Sequence, residues 1–291
     1  MKNLVSTIAL MGFASASVGA ASAAELSITA FYSNESSLFP VASILIEGPE
    51  EMILVDAQFE KDDATQLVEM IRASGKTLTT VFISHKDPDF YFGVDTIRAA
   101  FPDARIVATP STVEGISQTI QLKYDFWGPI LGDNAPTDLI VPEVLEGDSL
   151  TVDGETVQII GLDGHDPKHT FLWVPDAETV LGGVPLYENQ HVWMSDTQTV
   201  ESRDDWRMTL DVIEGLNPKR IIAGHSVGES AEDISIVEFT RSYVAAFEAA
   251  AAEAANSEEL VAAMQAAYPD FAVNGSLEIG AAVLMGERSW P

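Results

Sequence analysis

The chain contains no cysteine. That excludes a disulfide framework, a thiolate nucleophile and any sulfur ligand, so a transition-metal site in this protein must be built from imidazole and carboxylate. Histidine is scarce as well: there are five in 291 residues, each in a short segment of the kind that follows a strand. Positive charge is the third shortage, with 15 basic against 45 acidic residues and a formal charge of −30. Such a surface repels phosphate backbones and anionic lipid. Nucleic acid is therefore not an expected partner, and a small-molecule substrate is. The apolar stretch from Leu4 to Val18 is softened by glycine and serine and falls short of the roughly 20 strongly apolar residues of a membrane span. With Lys2 before it and Ala21-Ser22-Ala23 after it, it reads as a secretory signal peptide over residues 1–23. The mature chain is then expected to be periplasmic or secreted, with no membrane attachment after cleavage.

What is present is enough apolar residue, 46%, to fill one large α/β core. Strand-like runs open the mature chain at Ser27 to Phe31, Ala42 to Ile46 and Met52 to Val55, followed by an amphipathic helix over Asp62 to Ala73 and a strand over Thr79 to Ile83. A second strand–helix unit follows, with Ser111 and Glu114 spaced as a capping box. Between Lys123 and Pro142 the breakers Gly128, Pro129, Gly132 and Pro136 predict a long surface loop. Asp153-Gly154 predicts a hairpin turn, Asp204 to Leu216 a helix, and Ile221 to Ala223 a strand. The Ala-rich tail carries Phe239, Tyr243 and Phe247 at helical spacing, and Asn256 with Glu259 caps a second helix, so a packed helical pair is expected over residues 236–291.

The densest group of ligand-type residues is Ser84-His85-Lys86-Asp87-Pro88-Asp89-Phe90, just after the apolar run Val81-Phe82-Ile83. Three side chains leaving a buried strand can converge on a metal; by itself, the same stretch reads equally as a solvated Asp/Pro turn. His191, beside Trp193, is either a packed histidine or one that reaches a pocket. Tyr91 and Trp193 are candidates for a substrate-facing wall or for plain core filling.

The order of these features resembles the metallo-β-lactamase fold superfamily. His85-Lys86-Asp87-Pro88-Asp89-Phe90 stands where that family has His-x-His-x-Asp-His, keeping the first His and the Asp. Gly164-His165-Asp166-Pro167-Lys168-His169 resembles its Gly-His-Thr-Pro-Gly-His motif, and Ile221 to His225 its last strand running into Gly-His. Gly183 stands where the family has a metal-bridging carboxylate. The resemblance implies a four-layer αβ/βα sandwich over residues 24–235, with the helical pair added behind it. It implies His85, Asp87, Asp89, His165 and His225 as metal ligands, one ion rather than two, with Asp89 catalytic. His169 is then structural or supports a ligand. Asp56, in Val55-Asp56-Ala57-Gln58, is implied to orient a ligand histidine, or it is a strand-end turn carboxylate. Zinc is the first expectation for the metal, with the added carboxylate also admitting manganese or iron. The implied activity is a metal-dependent hydrolase that uses hydroxide supplied by the metal to attack an ester, lactone, amide or related bond. The alternative is a non-catalytic metal- or ligand-binding protein, since positions 90 and 183 have lost their ligands. β-Lactam ring opening ranks below both, because the ligand set departs from the usual one.

Overall fold

A computed structural model describes residues 25–33, 37–272 and 274–290; the signal-peptide expectation lies outside them. Period-two alternation of apolar residues builds a sheet buried on both faces. Ala42, Ile44 and Ile46 of strand β2 (Ala42–Glu47) face one core, while Val41 and Leu45 face another. Met52 and Leu54 part from Ile53 and Val55 in the same way. One strand can serve two cores because successive side chains leave it on opposite faces. The six-stranded sheet runs β1 (Ser27–Tyr32), β2, β3 (Glu51–Val55), β4 (Thr77–Ile83), β5 (Arg105–Ala108), β6 (Glu143–Val144), antiparallel at the start and parallel from β3 onward.

Its inner face packs on a second sheet. That sheet contains β7 (Ser149–Val152), β8 (Glu155–Ile160), β9 (Phe171–Val174), β10 (Thr179–Leu181) and β12 (Arg220–Ile222), in the order β12-β10-β9-β8-β7. Val157, Ile159, Leu172, Leu181 and Ile222 meet Ile44, Val55 and Phe82 between the sheets. A short parallel pair, β11 (Tyr187–Glu188) with β13 (His225–Ser226), closes the end where the site lies. Helices α1 (Lys61–Ser74), α2 (Pro88–Tyr91), α3 (Val94–Ala100) and α4 (Pro110–Leu131) belong to the first sheet's half. Helices α5 (Val200–Gly215) and α6 (Ser235–Glu253) cover the second sheet through Trp206, Leu210, Val237 and Val244. The result is the expected four-layer sandwich.

Three local expectations need correcting. The loop expected from Lys123 is helical as far as Leu131, because α4 runs through Pro129. A proline in the last turn forfeits only one ladder bond, and Trp127, packed edge-on at 5.2 Å from Phe39 and 5.7 Å from Phe59, pins that turn to the core. The cap of α4 is Thr109, whose hydroxyl accepts from the Thr112 N–H, in place of Ser111. Finally, the C-terminal pair α6 and α7 (Ser257–Ala267) is followed by a third helix, α8 (Gly275–Leu284), which Asn274 caps. No helix among the described residues is long and apolar enough to cross a membrane.

Candidate metal centre

The site grows from the ends of strands held together by one buried carboxylate. Asp56 follows β3 with φ 63°. Its Oδ1 accepts from the Ser84 N–H at 2.8 Å and its Oδ2 from the Ser84 hydroxyl at 2.6 Å. The Ser84 oxygen in turn accepts from the Gly183 N–H at 3.0 Å. The ends of β3, β4 and β10 are thus fastened to one another, and Asp56 supports the His85 loop through Ser84 rather than by touching a histidine. Burial raises the Asp56 carboxyl to about 7, against the two Ser84 hydrogen bonds that lower it.

Gly183 could not carry the bridging carboxylate in this backbone. Its φ is +76°, and a Cβ there would stand 2.2 Å from the Thr170 carbonyl oxygen. Gly224 presses on it from the other side, where a Cβ would lie 1.8 Å from the Gly183 oxygen. Phe90 closes the other vacated ligand position. Its fully buried ring lies edge-on between His85, 5.6 Å away, and His225, 5.2 Å away.

Beside that ring, Asp87 is surrounded by positive charge. Lys123, reaching across from α4 and 8% exposed, donates to Asp87 Oδ1 at 2.7 Å and to the Lys86 carbonyl at 2.9 Å. Lys86 Nζ lies 3.4 Å from the same oxygen and 3.1 Å from Asp196 Oδ1. The Lys86 stem has room to lie there because position 115 is glycine, where a Cβ would meet its Cδ at 2.9 Å. Burial opposes ionisation of Asp87, but Lys123 first and Lys86 next hold its carboxyl well below the usual range. Asp89 goes the other way: burial, then the charge of Asp87, pushes it well up.

The histidines divide. His225 Nδ1 donates to the Pro40 carbonyl at 2.7 Å, its Nε2 stands 3.4 Å from Asp89 Oδ2, and its ring stacks on Tyr187. Burial lowers its pKa to about 4, so the ring is neutral and Nε2 keeps its lone pair. Burial likewise keeps His85 neutral. His169 stacks on Trp206 with Nδ1 on the Asp166 carboxylate. It shares a narrow pocket with His85, Asp87 and Asp196. His165 is exposed, on the open side of the adjoining groove, with Nε2 3.4 Å from the Thr209 hydroxyl. The structure therefore brings His169, rather than His165, to the inner pocket. His191 is corrected too. It is fully buried against Tyr243, Tyr268 and Phe271 of the C-terminal region, with Nδ1 2.9 Å from the Tyr243 oxygen. Tyr91 is buried among core residues beneath the loop, and Trp193 does line the cavity.

Three participants escaped the sequence reading. Asp196 follows Trp193 closely and is a carboxylate in the loop after the missing bridging residue, which was a usable signal. Lys123 and Trp290 had none, because helix α4 and the C-terminal tail are distant in sequence.

The donors that line the inner pocket, two imidazoles and two carboxylates, are of the right chemistry for a divalent ion. A metal-binding histidine ordinarily ties its second nitrogen to a carbonyl or carboxylate, as His169 and His225 both do here. Phe90 and Gly183 remove the second position. Among the described residues no three histidine or carboxylate groups already stand as a set able to hold a metal. Lys123 takes Oδ1 of Asp87, while Oδ2 faces His85 Nδ1 at 3.4 Å.

The comparisons agree with the sandwich. The family model of the metallo-beta-lactamase superfamily matches residues 37–225. The metallo-beta-lactamase family protein TTHA1429 from Thermus thermophilus superposes with a TM-score of 0.61 at 17% identity, over 89% of this chain and 93% of that one. A metallo-beta-lactamase from Pontibacter korlensis gives 0.53 at 14%, over 76% and 99%. The DIM-1 metallo-beta-lactamase gives 0.52 at 18%, over 75% and 92%. At these identities the structural likeness is one of fold.

Proposed function

Because the chain belongs to the metallo-β-lactamase superfamily, we propose that it is an exported metal-dependent hydrolase that opens an ester, lactone, amide or related bond of a small molecule. The observation that carries this reading is that His169 and His225 each have Nδ1 tied to an oxygen, with His225 Nε2 3.4 Å from Asp89 Oδ2 and His169 lining the pocket of His85 and Asp87. His85, Asp87 and His169 would hold a single divalent ion, with Asp196 facing them across the pocket. Zinc suits the imidazoles, and manganese or iron the carboxylates. When bound, the ion would polarise the scissile carbonyl and make water a better nucleophile.

The chain's own groups do the rest. Burial, and then the Asp87 charge, oppose ionisation of Asp89 and favour its protonated form. His225 Nε2, 3.4 Å away, can receive a proton. Together they form a relay between the attacking water and the leaving group.

Asp89→Ala should abolish turnover of whichever ester, lactone or β-lactam a substrate panel reveals, while leaving the denaturation midpoint nearly unchanged. Unchanged turnover would remove Asp89 from the mechanism. The non-catalytic binding protein stands as the second reading, favoured by one specific observation: the Lys123 ammonium already neutralises the carboxylate an ion would use.

A further inference from the structure

The loop between β11 and α5 starts from a strand whose Tyr187 is in register with His225, so one short pair places its first residues beside the site. Most of its polar side chains are engaged locally. Asn189 Nδ2 donates to the Glu229 carbonyl at 3.1 Å, Trp193 Nε1 to Asp196 Oδ2 at 2.7 Å, and Gln198 Nε2 to the Ser195 carbonyl at 2.9 Å. Gln190 is different. It is only 6% exposed, its amide nitrogen has no hydrogen-bond partner, and its side chain lines the cavity that Asp89 and His225 also line. His191 Nε2 and Ser195 Oγ are unpaired as well, but neither residue lines that cavity.

A second uncharged polar side chain reaches the same cavity from beyond residue 225, where the family match ends. Ser276, in the first turn of α8, is 4% exposed, and no hydrogen bond to another described residue engages its hydroxyl. The helix is held in place. Asn274 caps it on the Leu277 N–H at 3.3 Å, and Leu277 and Ala281 share a buried core with Met194 of the loop. Buried polar groups without a partner are costly and rare, so two on one cavity wall call for a ligand that pairs them. An amide and a hydroxyl can each both donate and accept. A ligand carboxamide presents a donor and an acceptor side by side and can engage both residues at once, whereas an ester or ketone oxygen can only accept. Phe39, Trp127, Trp193 and Trp290 supply the apolar contacts around it.

We propose that Gln190 and Ser276 are substrate-binding residues that read an uncharged carboxamide carried by the ligand next to an apolar group. The proposal deepens the hydrolase reading by naming part of its substrate, but its test needs no turnover. NMR titration of the full chain with benzamide should give saturable binding, about tenfold tighter than isopropenylbenzene, which has the same shape without hydrogen-bonding atoms. Gln190→Leu should weaken benzamide about tenfold and leave isopropenylbenzene no weaker. Its ligand-free denaturation midpoint should equal or exceed that of the parent, because an unpaired buried amide has been replaced by an apolar side chain; an amide serving only the fold would lower the midpoint on removal. Ser276→Ala should weaken benzamide about threefold. Equal binding of the two probes by the parent, absence of benzamide binding, parent-like affinity for benzamide in either variant, or a clearly lowered midpoint in Gln190→Leu would overturn the proposal. If benzamide binding depends on Gln190 while no ester, lactone or amide is turned over, the hydrolase reading fails and the pocket assignment stands.

Discussion

Replacing Lys123 by methionine keeps most of the side-chain volume and removes the ammonium from Asp87. The carboxylate is then left with Lys86, whose Nζ is 3.4 Å from the same oxygen Lys123 approaches at 2.7 Å. Both partners are largely buried, with side-chain exposures of 9% and 14%. Breaking a buried pair from one side costs about 3–5 kcal/mol, and the remaining Lys86 places the expectation near the low end, about 3 kcal/mol. Asp87→Asn should cost a similar amount, since it leaves the Lys123 ammonium short of a counter-charge. The double variant should be more stable than the sum of the two losses by about 2 kcal/mol, the coupling of groups in direct contact. The pH dependence has a definite sign. Asp87 titrates below its unfolded value, so its stabilising contribution is fully present above about pH 4 and is lost as pH falls through the folded value. The Lys123→Met deficit should thus be complete at pH 7 and shrink on acidification. Urea denaturation followed by circular dichroism in chelator-treated buffer reads all four proteins. Adding zinc should then stabilise Lys123→Met by about 2.7 kcal/mol at a hundredfold excess over its own dissociation constant, and the parent by less. A Lys123→Met protein as stable as the parent, or strictly additive losses in the double variant, would refute the reasoning.

Ser84→Ala should cost about 1–3 kcal/mol in chemical denaturation, because the Gly183 N–H and one oxygen of Asp56 both lose their partner. Gly183→Asp, which restores a carboxylate at the missing position, should lower the yield of folded protein and cost on the order of 4 kcal/mol, since its Cβ collides with the Thr170 carbonyl; a stable Gly183→Asp protein would show that the backbone there is free to move. His225 titrates near 4, below its unfolded value of about 6.5. Its contribution to stability is therefore full above about pH 6.5 and falls as pH drops toward 4, which NMR of the imidazole should record as a neutral ring throughout pH 5–8.

The layers were legible because their cause is local. Alternation in Ala42 to Ile46 and Met52 to Val55 marks strands with two buried faces, and the Asp153-Gly154 hairpin carries the positive φ values its sequence announces. The His85 cluster was legible for the same reason, as polar side chains packed behind an apolar strand. What sequence could not supply is distance across the fold. Which of His165 and His169 faces inward depends on Trp206 of α5 stacking on one of them. The helical continuation through Pro129 depends on Phe39 and Phe59 receiving Trp127. Lys123 lies 36 residues from Asp87 along the chain and nothing in its own neighbourhood marks it. For His191, which the sequence left as either packed or pocket-facing, the choice is made by Tyr243, Tyr268 and Phe271, which bury it from far along the chain.

The most direct test of a single-ion site is elemental analysis of protein purified without added metal and then equilibrated with zinc, manganese or iron, beside His85→Ala and His169→Ala. One equivalent per chain, lost in both variants with folding intact, is the outcome this account predicts. Two equivalents, retention of the ion by His169→Ala, or none at any concentration would contradict it, the last leaving the Lys123 ammonium as the resident cation of a binding protein.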